Sequence, residues 1–127
     1  MPNLLHFVSL WWLPLGKAPE ITPDELHQKL VEHHDVQLVD ARTRIEYEQG
    51  TLAAARYAPV TGLPGSIDRL HLDPERPVVV LCATGHRSLP GTRLLRSRGY
   101  QAYSLKGGVG AWKRAGYALQ KPGEQVN

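Results

Sequence analysis

PVVVLCATGHRS, residues 77–88, is the stretch that decides how this chain folds. Its first five residues form an unbroken apolar run with three consecutive valines. Such a run is typical of a strand that is buried on both faces at the centre of a parallel sheet. The only cysteine of the chain, Cys82, comes directly after it. We therefore expect the thiol at the carboxyl end of a central strand.

Strands and helices alternate on both sides of this run. The predicted strands are residues 36–40, 56–58, 77–81 and 100–105. The predicted helices are residues 23–33, 44–49, 67–72, 88–98 and 111–115, with a Gly- and Pro-rich loop at residues 59–65. Thr22 with Glu25 and Thr43 with Glu46 are capping boxes that open the first two helices, and Gly50 should end the second in a left-handed conformation.

This alternation predicts an α/β domain with a mainly parallel sheet. In such sheets, ligands bind at the carboxyl ends of the strands, which is where Asp40 and Cys82 fall. We interpret Asp40 and Arg42 as a pair that braces the loops at this edge. His33 and His34 are neighbours, so on a helix they diverge by about 100° and do not share a metal ion.

Composition narrows the class of function. The chain has 127 residues, of which 42% are hydrophobic and 21% charged, which suits one globular domain. Its fifteen basic residues are scattered apart from the stretch between Arg87 and Arg98, without the basic stripe of a nucleic-acid binder. An anionic small substrate is therefore the better match to the net charge of +3. A single cysteine excludes an intrachain disulfide and favours a reducing compartment, which we expect to be the cytoplasm.

The amino-terminal arm, residues 1–19, contains the apolar segment LLHFVSLWWLPL at residues 4–15. Twelve residues are too few for a bilayer, which needs about 20. No basic residue precedes Lys17 and no small-residue cleavage pattern follows, which argues against a secretory signal. We expect the arm to pack on the domain, residues 20–120, or on a second copy. The alternative is that the arm contacts a membrane surface through Trp11 and Trp12. At the other end of the chain, residues 121–127 are predicted to form a short polar tail.

The loop after Cys82 predicts chemistry. If Cys82 ends the strand and Ser88 caps the next helix, the residues between them curl around the sulfur. Their N–H groups then form an anion cradle, and an adjacent helix start with cationic groups lowers the pKa of a thiol. Gly85 provides a positive φ or free space, and Arg87 adds charge, while His86 either tunes the thiolate or faces solvent. This pattern favours a nucleophilic thiolate over a buried structural cysteine.

From Ile21 to Tyr117 the chain resembles the rhodanese family of sulfurtransferases. The family pattern C-x-x-G-x-R-S is matched by Cys82, Gly85, Arg87 and Ser88. The other matches are I-T-P-D-E-L at residues 21–26, Asp40-Ala41-Arg42 with Glu46-Tyr47, and Leu105-Lys106-Gly107-Gly108 with Ala111-Trp112.

This resemblance implies a mainly parallel five-stranded sheet flanked by helices on both faces. It also implies that Cys82 takes the outer sulfur of a small anionic donor such as thiosulfate and passes it to cyanide, a thiol or a protein acceptor. No metal or organic cofactor is expected. The resulting persulfide would be held by the backbone N–H groups of Ala83, Thr84, Gly85, His86, Arg87 and Ser88.

The chain departs from the family pattern at two places. Where the family often has G-H-I-x-G-A, this chain has GTLAAA at residues 50–55, without the histidine or the second glycine. The active loop also lacks the lysine of some thiosulfate-preferring members, which leaves thiosulfate and mercaptopyruvate both open as donors.

Two other classes of function compete with this interpretation. Dual-specificity phosphatases and arsenate reductases of the related fold use C-x5-R, but only four residues separate Cys82 from Arg87, which makes a smaller cradle. The second is a rhodanese-like interaction module without turnover. Such modules commonly lose the cysteine, which is retained here, and persulfide carriage to a protein partner lies between the two classes.

Overall fold

The computed structural model describes residues 18–32, 35–59 and 62–123. Five parallel strands form one sheet in the order β1-β5-β4-β2-β3. The strands are β1 (Glu20–Ile21), β2 (Gln37–Asp40), β3 (Arg56–Tyr57), β4 (Val78–Leu81) and β5 (Ala102–Leu105). The helices are α1 (Pro23–Glu32), α2 (Arg44–Gln49), α3 (Leu63–Leu70), α4 (Ser88–Ser97) and α5 (Gly108–Arg114).

The apolar run forms the central strand, as the sequence predicts. Strand β4 pairs with β2 on one side and with β5 on the other, and all four of its residues are buried. Val80 stands opposite Val39 on one side and Ser104 on the other. Cys82 therefore leaves the sheet at its middle.

Helices cover both faces of this sheet, which confirms the predicted architecture. Val78 and Val80 belong to one core cluster with residues of α3 and α4, whereas Val79 and Leu81 belong to a second cluster with residues of α1 and α5. The alternation follows from the two-residue period of a strand. Leu26 in α1 and Leu95 in α4 are fully buried, and burial of such a side chain contributes about 1.5–3 kcal/mol.

The first two helices begin at the predicted capping boxes. The Glu25 amide donates to Thr22 Oγ1 at 3.2 Å, and the Thr22 amide donates to Glu25 Oε1 at 2.9 Å. The same reciprocal pair forms between Thr43 and Glu46 at 3.3 and 3.0 Å. Gly50 ends α2, but its φ of 159° is close to extended. The predicted left-handed conformation of Gly50 is not formed, so that prediction is wrong. The chain instead extends directly into an isolated bridge between Thr51 and Gln120.

Two further local predictions are wrong. Helix α3 begins at Leu63, inside the predicted loop, because Pro64 is accommodated in the first turn and Leu63 and Ile67, four apart, are both buried. Ser88 is not a helix cap. Arg87 occupies the N-cap position, and the Ser88 hydroxyl instead forms a buried hydrogen bond with Ser104 of β5.

Several sequence predictions lie outside the described residues. These are the apolar segment at residues 4–15, the neighbouring histidines His33 and His34, and most of the polar tail at residues 121–127. Across the ranges that the structure does describe, none of the helices has the length and apolar character needed to cross a membrane.

Candidate active site

The thiol of Cys82 lies in the interior of the molecule, directly after the central strand. Its residue is 0% exposed. The backbone N–H of Gly85 donates to Cys82 Sγ at 2.9 Å, so the loop turns back over the sulfur. A donor aimed at the sulfur stabilises negative charge there, because it can bond the thiolate.

Gly85 is required at the turn of this loop for two reasons. Its φ of 91° lies in the region that side-chain-bearing residues rarely adopt. A Cβ at this position would also lie 2.8 Å from the backbone nitrogen of Gly107. The glycine thus permits the turn and the close approach of the segment that precedes α5.

The first turn of α5 holds the carbonyl groups of the loop. The Val109 amide donates to the Cys82 carbonyl at 2.7 Å, and the Gly110 amide donates to the Ala83 carbonyl at 3.1 Å. A Cβ on Gly108, whose φ is 68°, would overlap the backbone of Cys82 and Ala83. These contacts explain why α5 begins at Gly108, before the predicted Ala111.

The side chain of Arg87 forms an ion pair with Glu46 of helix α2. Its Nη2 donates to both carboxylate oxygens of Glu46, at 3.1 Å each. This hydrogen bond is the main cause that lowers the pKa of Glu46 to about 2. The same bond raises the pKa of Arg87, and negative charge at Glu46 and Cys82 adds to the rise.

The remaining loop residues divide between the rim and the interior. Thr84 and His86 are exposed, and Thr84 Oγ1 lies 3.0 Å from His86 Nδ1 in a hydrogen bond. Ala83 is half-buried. Ser88 is buried, and its hydroxyl is engaged by Ser104. One of the six loop residues predicted to bind substrate, Gly85, thus donates a hydrogen bond from its backbone amide to the sulfur.

Asp40 and Arg42 meet at the same edge of the sheet. Arg42 donates from Nε to Asp40 Oδ1 at 3.0 Å and from Nη2 to Oδ2 at 2.8 Å, and both residues are buried. The Thr51 hydroxyl donates to Oδ2 at 2.7 Å, and Arg42 Nη2 also donates to the Gly50 carbonyl. The network joins the end of β2 to the residues after α2.

Sequence reasoning did not assign Thr51 or Glu46 to the site. Thr51 is a fully buried polar residue at the start of an apolar segment, and it stands where the family pattern has histidine. Glu46 was noted as part of a motif and as a capping residue. Its contact with Arg87 spans 41 positions of the chain and has no local signal.

Comparison with known proteins decides the family. The model of the rhodanese-like domain matches residues 22–115. This chain belongs to the rhodanese-like family.

Relatives of this rhodanese-like domain carry sulfurtransferase names. A sulfurtransferase of Allochromatium vinosum is 36% identical over 104 residues, which cover 81% of this chain and 95% of the relative. A putative sulfurtransferase of Bacillus subtilis is 27% identical over 94 residues, covering 74% and 89%. Both proteins are matched along most of their length, so they are similar to this chain as whole domains.

Solved structures agree with the fold. A rhodanese-like domain protein of Staphylococcus aureus superimposes with a TM-score of 0.69 at 29% sequence identity, and the match covers 86% of this chain and 98% of that one. A rhodanese-related protein of Thermoplasma volcanium has a TM-score of 0.73 at 22% identity, covering 80% and 97%. The parallel five-stranded sheet with helices on both faces is thus the rhodanese-like fold.

Proposed function

We propose that this protein is a sulfurtransferase that carries sulfur as a persulfide on Cys82. The observation that carries the proposal is the hydrogen bond of 2.9 Å from the Gly85 amide to Cys82 Sγ. It supports a thiolate at the end of the central strand. The carbonyls of Cys82 and Ala83 accept hydrogen bonds from the first turn of α5, so these acceptors already have partners within the protein.

The proposed cycle has two displacement steps. The Cys82 thiolate attacks the outer sulfur of thiosulfate, a new S–S bond forms, the S–S bond of thiosulfate breaks, and sulfite leaves with the electron pair. Cyanide or a thiol then attacks the terminal sulfur of the persulfide, and the Cys82 thiolate leaves. Neither step changes the net oxidation state of the reactant pair, so the cycle calls for no metal or redox cofactor.

In this proposal the loop residues 83–88 surround the persulfide, and the Asp40–Arg42 pair braces the loop edge. The full burial of Cys82 favours small donors such as thiosulfate or mercaptopyruvate. A protein acceptor fits only if it presents its thiol on a narrow segment. The lone thiol suits a reducing compartment, which we propose is the cytoplasm.

Intact-mass spectrometry tests this proposal. The protein is incubated with thiosulfate and then with cyanide, beside the Cys82→Ser variant as the control. The expected result is a gain of about 32 Da that cyanide removes, because the nucleophile forms a covalent intermediate. The variant should show no gain and an unchanged melting temperature. Absence of the gain with thiosulfate and with mercaptopyruvate, in a protein whose thiol still alkylates, would overturn the proposal.

A further inference from the structure

The pair formed by Glu46 and Arg87 uses only part of the guanidinium. Both oxygens of Glu46 accept from the same nitrogen, Nη2, at 3.1 Å. Within residues 18–32, 35–59 and 62–123, no hydrogen bond uses Nε or Nη1 of Arg87. The side chain is 40% exposed. Two donor groups of the planar guanidinium are therefore left for a ligand beside the loop.

The carboxylate that holds Arg87 is itself held in place. Glu46 Oε1 accepts from the Thr43 amide and from Thr43 Oγ1, both at 3.0 Å. The capping box that starts α2 thus fixes the direction of the carboxylate. Because of this, the guanidinium is anchored to a helix terminus and not to a freely rotating side chain.

Arg87 follows Cys82 by five positions in the same loop, which turns back over the sulfur at Gly85. Negative charge at Cys82 contributes to the raised pKa of Arg87. Glu46 is the stronger partner and keeps the guanidinium at one position relative to the loop. An arginine without such an anchor has to be ordered at every binding event, which weakens binding.

We propose that Glu46 is a positioning residue, which holds Arg87 by Nη2 so that Nε and Nη1 bind the oxyanion end of an anionic sulfur donor beside Cys82. The role in donor binding rests on the proposed sulfur transfer. The placement of the Arg87 guanidinium near the Cys82 thiol does not rest on sulfur transfer, and it can be measured separately.

Glu46→Gln tests this role without removing the helix cap, because glutamine also completes a capping box. It removes the charge that pairs with Arg87. Glu48→Gln is the matched control: it makes the same change on the same helix, where the partner Arg44 lies at 3.9 Å and both side chains are mostly exposed. We expect KM for thiosulfate to rise about 3- to 10-fold in Glu46→Gln, because a positioned charged hydrogen bond is weakened. Glu48→Gln should match the parent.

Alkylation of Cys82 provides a readout that is independent of turnover. The rate with anionic iodoacetate is divided by the rate with neutral iodoacetamide, and this ratio reports positive charge near the only thiol of the chain. The ratio should fall in Glu46→Gln and in Arg87→Gln, and Glu46→Gln should cause no further fall in the Arg87→Gln background. Melting temperatures verify that the variants fold. If Glu46→Gln does not fold, Glu46→Asp replaces it, because the shorter carboxylate withdraws from Arg87 Nη2 and should also lower the ratio.

The opposite sign overturns the inference. If Glu46 only neutralises Arg87, loss of its charge strengthens the local positive field, and the iodoacetate ratio rises. An unchanged ratio likewise overturns it. If the ratio falls while neither thiosulfate nor mercaptopyruvate loads the thiol, the positioning role stands and the proposed sulfur transfer fails.

Discussion

The Val109 amide donates to the carbonyl oxygen of Cys82 across 2.7 Å. The contact joins the first turn of α5 to Cys82, the residue that directly follows the central strand β4. It is made possible by Gly108, which carries no side chain where the backbones of the two segments meet. The shape of the loop at residues 82–88, which we call the thiol loop, therefore depends on Gly108, 26 positions after Cys82.

Gly108→Ala should disrupt this contact. The added Cβ would overlap the backbone of Cys82 and Ala83, which cannot move aside as a flexible side chain could. Gly116→Ala is the control, since its φ of 92° is similarly left-handed but nothing lies within 4 Å of a Cβ there. We expect about 1–2 kcal/mol of lost unfolding free energy for Gly116→Ala, from backbone strain alone.

For Gly108→Ala we expect a further loss of at least about 1–3 kcal/mol from overpacking. Urea denaturation of the two variants checks this difference. Equal losses would show that the two backbones have room to separate.

Arg42→Ala should be strongly destabilising, because it leaves the buried Asp40 carboxylate without its cation. Loss of one partner of a buried pair costs about 3–5 kcal/mol. Adding Asp40→Asn should restore part of the loss, since no charge is then buried unpaired. Arg44→Ala, at an exposed pair of 3.9 Å, is the comparison and should cost about 1 kcal/mol or less. Similar losses at both arginines in chemical denaturation would contradict this account.

Ala54→Gly should stabilise the protein. Ala54 has a φ of 66°, and it stands where the family pattern has its second glycine. The left-handed region costs a residue with a Cβ about 1–2 kcal/mol, and the greater entropy of unfolded glycine offsets about 0.5–1 kcal/mol of the gain. Ala53→Gly is the control. It changes the preceding residue, which is also exposed but lacks a positive φ, so this substitution should only destabilise the protein. Thermal unfolding distinguishes the two, and a loss in both variants would contradict the prediction.

Acid should weaken the Glu46 contribution to stability. The pKa of Glu46 is lowered from 4.5 to about 2, chiefly by its hydrogen bond with Arg87. A lowered folded-state pKa gives stability that is fully present above the unfolded value and lost as the pH falls through the folded value. The difference in unfolding free energy between the parent protein and Glu46→Gln should be constant above about pH 5.5 and shrink between pH 4.5 and 2.

Denaturation curves at a series of pH values measure this difference. Glu48→Gln should run parallel to the parent across the series. A parallel course for Glu46→Gln as well would mean that the ion pair with Arg87 does not persist in solution.

Local patterns in the sequence predicted most of the architecture. The three valines of β4 identify a strand with two buried faces, and the two threonine capping boxes identify helix starts, because both signals lie within a few residues. Helix α3 was placed too late because Gly62, Pro64 and Gly65 have the composition of a loop. Its apolar spacing, from Leu63 to Ile67 and Leu70, was the better signal.

The candidate site was predictable only where its residues are neighbours in the chain. The loop from Cys82 to Ser88 is one such segment. Ser88 was assigned as a cap from its residue type, but its partner Ser104 belongs to another strand. The partner of Arg87 is equally remote. Such contacts depend on how strands and helices are arranged in space, which spacing along one segment does not encode.

The dependence of the thiol loop on α5 also has a consequence for the order of events during synthesis. The carbonyls of Cys82 and Ala83 lack their partners until Val109 and Gly110 have been added to the chain. At about 5–20 residues per second, the ribosome needs a few seconds to reach them. Throughout that interval Cys82 belongs to an unfinished loop, so the nascent chain completes the loop around the thiol only as helix α5 docks.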